Sequence, residues 1–172
     1  MDIPSLETAN LLLRPFTPRD APRLGAILHE EGILRYFAES TPPPLEVTEK
    51  SVARRLEHWK EYGYGRWAVV PRDTGMLMGW CGMDYSIEVE GPELTYLLST
   101  GVWGRGYATE AGRATVRFGF EVAGLDRIMS MASLENAASN RVLLKCGLLP
   151  SGETLIDGMP MRLYRIDRPA TQ

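Results

Sequence analysis

The sequence predicts an α/β protein in which helices flank a mixed, mostly antiparallel central sheet of roughly six to seven strands. Three observations lead to this class. Strand-like runs joined by short turns, between residues 67 and 98, form an antiparallel meander. A helical pattern follows, and such a crossover makes the next strand parallel to its predecessor. The last runs turn around Asp157-Gly158, as expected for a β-hairpin.

The chain opens with a predicted strand and helix. Residues 11–16 read as a strand, with Pro15 near its end. Thr17 can cap the following helix, and Pro18 suits its first turn. Apolar residues then recur at helical spacing until Gly32. This segment is predicted to be mostly scaffold.

A proline-rich loop separates this helix from a second one. Residues 41–44 are Thr-Pro-Pro-Pro, a break too short to be a domain linker. The second helix begins at Glu46 or Thr48 and ends at Gly63. The meander follows, and Gly79 within its second strand indicates a bulge or a close neighbour.

The second half of the chain alternates helices with strands. A helix is predicted from Ala108 to Ala123, with Gly124 as its C-cap. A strand over residues 127–133 and a short helix ending at Gly147 come next.

Length, composition and charge restrict the class of protein. With 172 residues, of which 44% are hydrophobic, the chain has enough apolar material for one domain over residues 1–172. A net charge of −3 argues against broad nucleic-acid binding, which needs a basic face. No long apolar run or leader pattern is present, so we expect a cytoplasmic protein without a membrane segment. Two cysteines and two histidines are too few for a His/Cys metal cluster, and no metal is expected.

A glycine-rich turn between a strand and a helix is the most informative local feature. The strand 94–98 breaks at 99–101, and Gly104-Arg105-Gly106 then leads into the helix. Such a turn directs several backbone N–H groups, and the positive end of the helix dipole, at one point that suits a phosphate. Tyr107-Ala108 excludes a Walker loop, and Thr109 excludes the Rossmann pattern. A tight connection that binds no ligand remains the alternative.

Two segments, in this order, resemble one enzyme family. Residues 103–111, W-G-R-G-Y-A-T-E-A, resemble the acyl-CoA pyrophosphate loop of the GNAT superfamily of N-acetyltransferases, although Gly101 stands where Gln or Arg is common. Residues 136–148 are similar to the N-x-x-S-N-x-V-x-x-K-x-G-F element of the branch that contains the ribosomal-protein N-terminal (alanine and serine) acetyltransferases, with Leu148 replacing Phe. The opening L-x-L-R-P of residues 11–15 resembles the same branch.

The resemblance implies acetyl-CoA as the donor and a primary amine as the acceptor. It also implies that the sheet splays between its fourth and fifth strands, so that the pantetheine arm lies between them. The residues that it assigns to the donor are Leu98, Ser99, Thr100, Trp103, Gly104, Arg105, Gly106, Tyr107, Ala108, Thr109, Asn136 and Asn140. Of these, the amide of Leu98 or of a neighbouring residue is the candidate oxyanion donor for the thioester carbonyl.

Two residues are the candidates for proton transfer. Glu93 heads the fourth strand, where the resemblance implies a general base, although a strand-end salt bridge is the alternative role. The usual acid of the superfamily is a tyrosine at the position that Leu143 occupies here. Ser139 is the remaining hydroxyl, with the alternative that Ser139 or Asn136 caps the short helix.

The acceptor region is the least diagnostic part of the chain. Tyr36 and Tyr85 are the candidate substrate contacts, and packing is the alternative role for such aromatics. A protein N-terminus and a small amine (an amino acid, a polyamine or an antibiotic) both remain open as acceptors. A non-catalytic acyl-CoA-binding module is the third alternative, and either a monomer or a homodimer is expected.

Overall fold

Eight strands form one sheet in the computed structural model, which describes residues 2–170. The strands are β1 (Leu6–Glu7), β2 (Leu11–Arg14), β3 (Arg66–Pro71), β4 (Gly79–Ser86), β5 (Gly91–Leu98), β6 (Arg127–Ser133), β7 (Leu149–Ile156) and β8 (Met159–Asp167). The helices are α1 (Ala21–Leu28), α2 (Leu45–Tyr62), α3 (Tyr107–Glu121) and α4 (Ala137–Lys145). Short 3-10 turns cover Pro18–Asp20 and Thr100–Val102.

The predicted mixed, mostly antiparallel α/β class is confirmed. The strand order is β1-β2-β3-β4-β5-β6-β8-β7, and β5–β6 is a parallel pair between antiparallel neighbours. The sheet has one strand more than expected because Leu6 and Glu7 pair with Leu13 and Leu12 in a very short β1. A strand of two residues is too short to show the alternation of apolar and polar side chains by which a sequence reveals a strand.

Helices cover both faces of the sheet. One core cluster joins α3 to the face that carries Leu94 and Leu98 of β5. The other joins α1 and α2 to the opposite face, which carries Trp80 of β4 and Leu97 of β5. Successive strand residues alternate between the faces, so the even-numbered residues of β5 face α3 and the odd-numbered residues face α1 and α2.

Local backbone signals fixed several boundaries. Gly63 takes a left-handed φ of 73° and ends α2. The β7–β8 hairpin turns through Asp157 and Gly158, with φ values of 47° and 78° that suit a two-residue loop. A Cβ at Gly79 would lie 2.0 Å from the Leu97 carbonyl oxygen, so the close neighbour expected there is present.

The first helical segment is shorter than expected. Instead of continuing to Gly32, it is a 3-10 turn followed by α1, which ends at Leu28. The Asp20 carboxylate accepts hydrogen bonds from the Thr17 amide at 2.7 Å and from Arg14 Nη2 at 2.7 Å. These bonds fix the start of the segment against β2.

None of the helices within residues 2–170 is long and apolar enough to cross a membrane. Within the same range, no group of three or more His, Cys, Asp or Glu side chains is arranged to hold a metal ion.

Candidate active site

The sheet opens between β5 and β6. Their parallel pairing consists of Glu93 opposite Met129, and the Ser130 hydroxyl donates to the Leu94 carbonyl at 2.7 Å. Beyond Leu94, the described residues of the two strands have no further ladder pairing. The opening therefore widens toward the end of β5 that leads into the glycine-rich turn.

The register of β5 decides which main-chain groups face this opening. The Ser99 amide donates to the Met78 carbonyl at 2.7 Å, which places the polar groups of odd-numbered residues toward β4. In an antiparallel pair these directions alternate, so the amides of Tyr96 and Leu98 point away from β4 and toward β6. The edge of β5 thus offers hydrogen-bonding groups to an extended arm lying in the gap.

The turn after β5 carries a row of open amides. Gly104 and Gly106 have φ values of 77° and 80°, and α3 begins at Tyr107. Among residues 2–170, no protein atom accepts a hydrogen bond from the six amides of Gly104 to Thr109. A Cβ on either glycine would meet no heavy atom within 4 Å. Open amides at a helix N-terminus suit a phosphate, so this segment fits the pyrophosphate of an acyl-CoA.

The residues just before this turn differ from the expectation. The Glu30 carboxylate accepts from the Ser99 hydroxyl at 2.7 Å, from the Thr100 amide at 2.6 Å and from the Thr100 hydroxyl at 2.9 Å. Since the Ser99 amide is already bonded to β4, neither amide is open to pantetheine. Leu98, Ser99 and Thr100 were expected to contact the pantetheine arm. Of these three residues, Leu98 is the one whose main-chain amide is open to it.

Trp103 covers the mouth of the opening. Its indole N–H donates to the Leu98 carbonyl at 2.7 Å, while 58% of the residue is exposed. Arg105 is exposed beside it, whereas Tyr107 and Ala108 pack partly against the core. The indole therefore occupies the acceptor that an extended amide would otherwise use.

A pair of hydroxyls lies where α4 approaches β5. The Tyr96 and Ser139 hydroxyl oxygens are 2.7 Å apart, and the Tyr96 hydroxyl also donates to the Ser139 carbonyl at 3.2 Å. Burial raises the pKa of Tyr96 well above its usual value, so the phenol keeps its proton. Tyr96 was not among the predicted site residues, although it lies in the predicted strand.

The cap of α4 is Asn136. Its side-chain oxygen accepts from the Ser139 amide at 3.1 Å, which leaves the Ser139 hydroxyl free of the capping role. Asn140, which was expected to contact the donor, is fully engaged by the protein. Its amide nitrogen donates to the Ser133 and Asn136 carbonyls at 2.9 and 2.7 Å, and its oxygen accepts from Tyr164 at 2.5 Å.

Glu93 lies in a crowded, charged environment. Burial is the largest influence and raises the pKa of this carboxyl, and Asp84, its cross-strand partner, acts in the same direction. The nearby Ser86 hydroxyl, which donates to Glu88 at 2.9 Å, and the charge of Arg66 oppose the rise only in part. Arg66 and Asp84 form an ion pair beside it. A raised pKa makes the carboxylate a stronger base, which suits it to accept a proton from an amine.

Comparisons with known proteins agree with this geometry. Residues 10–149 match the family model described as an acetyltransferase (GNAT) domain. The chain belongs to the GNAT acetyltransferase family. It is therefore an acyl-CoA-dependent acetyltransferase, as the two sequence segments predicted.

Relatives of this GNAT chain span nearly its whole length. An uncharacterized N-acetyltransferase of Bacillus subtilis, YoaA, is 31% identical over 150 residues, or 87% of this chain and 85% of the relative. An acetyltransferase structure from Agrobacterium tumefaciens is 28% identical, with a TM-score of 0.82 and coverage of 98% and 96%. RimL, a ribosomal L7/L12 α-N-protein acetyltransferase in complex with coenzyme A, is 15% identical, with a TM-score of 0.83 and coverage of 98% and 100%; it shows the fold alone.

The two predicted acceptor contacts lie at different ends of β5 in this GNAT fold. Tyr85 pairs with Pro92 at the start of β5 and stacks on Tyr62, with ring centroids 5.5 Å apart. The Tyr36 hydroxyl reaches the carbonyl of Glu135, just beyond β6, at 3.5 Å. An eight-residue strand is about 26 Å long, so one small acceptor cannot touch both side chains.

One charged residue of the signature segment has a structural role. Glu110, in A-T-E-A, accepts from the Thr8 hydroxyl at 2.6 Å and from the amide and side chain of Asn10 at 2.7 and 2.9 Å. These contacts tie the β1–β2 turn to the first turn of α3. The residue therefore steadies the helix whose amides form the cradle, without facing the opening itself.

Proposed function

We propose that residues 1–172 act as a single N-acetyltransferase domain that transfers acetyl from acetyl-CoA to a primary amine within a ternary complex. The observation that carries the proposal is the continuity of two features: the gap beside β5, and the open amides of Gly104 to Thr109 at its end. Together they suit a slender arm with a pyrophosphate at its end. The donor supplies an activated thioester carbonyl, and this chain supplies orientation and proton transfer.

The acceptor amine has to be neutral before it can attack. Glu93, through its raised pKa, is the proposed base that takes a proton from the ammonium through bridging water, because five residue steps along β5, about 17 Å, separate Glu93 from Leu98. The amine lone pair then attacks the thioester carbonyl carbon, whose oxygen is polarised by the Leu98 amide. The C–N bond forms and the C–S bond breaks, and the bonding electrons leave with sulfur.

The departing thiolate has to gain a proton. We propose that the Ser139 hydroxyl donates it and is reprotonated by Tyr96, whose proton turns from the Ser139 carbonyl to the Ser139 hydroxyl oxygen 2.7 Å away. The attacking nitrogen gives up its second proton to the Tyr96 oxygen, directly or through water, and Glu93 passes the first to solvent. The products are then an N-acetylated amine, free CoA thiol and one proton, so atoms and charge balance. Cys146 is no candidate for an acyl carrier, because burial raises its pKa to about 11 and disfavours the thiolate.

An acceptor screen tests the proposal. Purified protein is incubated with acetyl-CoA and panels of N-terminal peptides, amino acids, polyamines and aminoglycosides, and thiol release is measured together with the mass of each acceptor. Turnover of any primary amine supports the proposal. Stabilisation by acetyl-CoA in a thermal shift assay without turnover would instead favour a non-catalytic acyl-CoA-binding module. Absence of both would contradict the donor site.

A further inference from the structure

A buried arginine lies on the acceptor side of the sheet. Arg55, on α2, is only 8% exposed. Its guanidinium carbon is 4.8 Å from the ring centroid of Phe16 and 4.6 Å from that of Trp80. The guanidinium is thus held between two aromatic rings, which orient it without bonding its N–H groups.

Three buried donors of this cluster have no acceptor among residues 2–170. They are Nε and Nη1 of Arg55 and Nε1 of Trp80. A buried donor without a partner is costly, and one on a charged group more so. Such groups are uncommon in native proteins and call for a specific explanation.

Neighbouring charges leave Arg55 uncompensated. The nearby Asp84 carboxylate accepts from Arg66 Nε at 2.5 Å and is ion-paired with that residue. Burial, followed by the charge of Arg66, lowers the pKa of Arg55 to about 9, so its guanidinium still carries a charge at neutral pH. Asp84 acts on Arg55 only at longer range, and among residues 2–170 the Arg55 guanidinium is in no ion pair.

The unpartnered charge lies on the same face of the sheet as Glu93, the proposed base. Trp80 is directly opposite Leu97 of β5, and Asp84 is directly opposite Glu93. These four residues occupy the face of the sheet toward α1 and α2, the face opposite α3. The Arg55 cluster and Glu93 therefore share one face of the sheet, and a single strand, β5, separates β4 from the gap.

We propose that Arg55 and the indole N–H of Trp80 bind a carboxylate of the acceptor, which makes the substrate a small amine that also carries a carboxylate. One unpaired cation matches one monoanion, and N–H donors bind carboxylates through charge-assisted hydrogen bonds. Arg66 and Asp84, whose side chains are 26% and 24% exposed, lie where the cluster meets solvent. This inference rests on the proposed acetyltransferase function and names its substrate class.

Matched acceptors test the inference. Amino acids and short dipeptides are compared with their C-terminal carboxamides, which keep the amine and the shape but lose the negative charge. Wild-type protein is expected to favour the free carboxylate by at least about tenfold in kcat/KM. In Arg55→Gln the preference should fall below about twofold, with the KM for acetyl-CoA unchanged. Arg54→Gln is the control, because it removes the same charge from the exposed preceding residue and should keep the preference.

The outcomes separate this inference from the function on which it rests. If no amine is acetylated, the proposed function fails. If carboxylates and carboxamides are used equally, or if only long protein N-termini are used, the function stands and the carboxylate site is wrong. If Arg55→Gln does not fold, the carboxylate preference of the wild-type protein, measured together with that of Arg55→Lys, decides whether the inference stands. Loss of the preference in Arg54→Gln would also overturn the assignment.

Discussion

A charge placed at Gly106 should weaken acetyl-CoA binding without disturbing the fold. Gly106 precedes α3 with a φ of 80°, and a Cβ there meets no heavy atom within 4 Å. Gly106→Asp and Gly106→Asn therefore both fit, and both carry the same left-handed backbone cost of about 1–2 kcal/mol. The two variants differ essentially in one negative charge, so their comparison isolates the electrostatic effect.

The size of that effect follows from the geometry of the cradle. The carboxylate introduced by Gly106→Asp would lie about 5 Å from a phosphate held by the open amides, so repulsion would be about 0.8 kcal/mol at the dielectric constant of water and about 3 kcal/mol at an effective value of 20. The dissociation constant for acetyl-CoA should thus be about fourfold to about 150-fold larger in Gly106→Asp than in Gly106→Asn.

Titration calorimetry at low and high salt measures the difference. The gap between the two variants should shrink as salt rises, because the added charge is exposed to solvent. Without the donor, Gly106→Asp should be at least as stable as Gly106→Asn, since a carboxylate at a helix N-terminus is favourable. Equal dissociation constants at low salt would refute the reasoning and move the phosphates elsewhere.

Four further single variants and one double variant address the proton-transfer groups and the scaffold. Burial raises the pKa of Glu93, so the folded protein loses stability as pH rises through that pKa and the buried carboxyl becomes charged. Glu93→Gln removes this charge and should therefore raise Tm at neutral pH. The same variant lacks the proposed base and should lower kcat/KM by about 100-fold or more. A lower Tm together with full activity would contradict both roles. Tyr96→Phe and Ser139→Ala should each lower kcat by about 10-fold to 100-fold. Because the two hydroxyls act in one proton relay, the double variant should be no slower than the slower single variant. Additive losses in single-turnover assays would argue against the relay. Burial would raise the pKa of Glu110, but hydrogen bonds from Thr8 and Asn10 outweigh it and lower that pKa. The contribution of Glu110 to folding stability is therefore lost as pH falls through the lowered pKa. Glu110→Gln should cost about 1–2 kcal/mol in denaturant unfolding at pH 7, with the KM for acetyl-CoA unchanged, and a large rise in that KM would place the carboxylate at the donor.

Features set by neighbouring residues could be predicted from the sequence. β6 has the predicted bounds of residues 127–133, α2 ends at Gly63, and the last hairpin turns at Asp157-Gly158. Each depends on a short local pattern or a left-handed backbone position. The glycine-rich turn belongs to the same class, because its open amides follow from a strand, a turn and a helix in succession.

Features set by distant residues could not be predicted in the same way. The contact of Tyr96 with Ser139 spans 43 positions, and that of Glu30 with Thr100 spans 70. No periodicity encodes such a pairing, since it depends on which strands and helices become neighbours. Arg55 was hidden for a related reason: an arginine in a helix normally faces solvent, and only the packing of Phe16 and Trp80 encloses it.

The exposure of Trp103 gives this protein a built-in optical probe. Of its four tryptophans, the other three are at most 4% exposed, whereas Trp103 lies at the entrance of the gap beside β5. A quencher dissolved in the buffer would therefore reach this one fluorophore selectively. A molecule that enters the gap and competes for the Leu98 carbonyl would move the indole and change its emission, so occupancy could be followed in real time without a label.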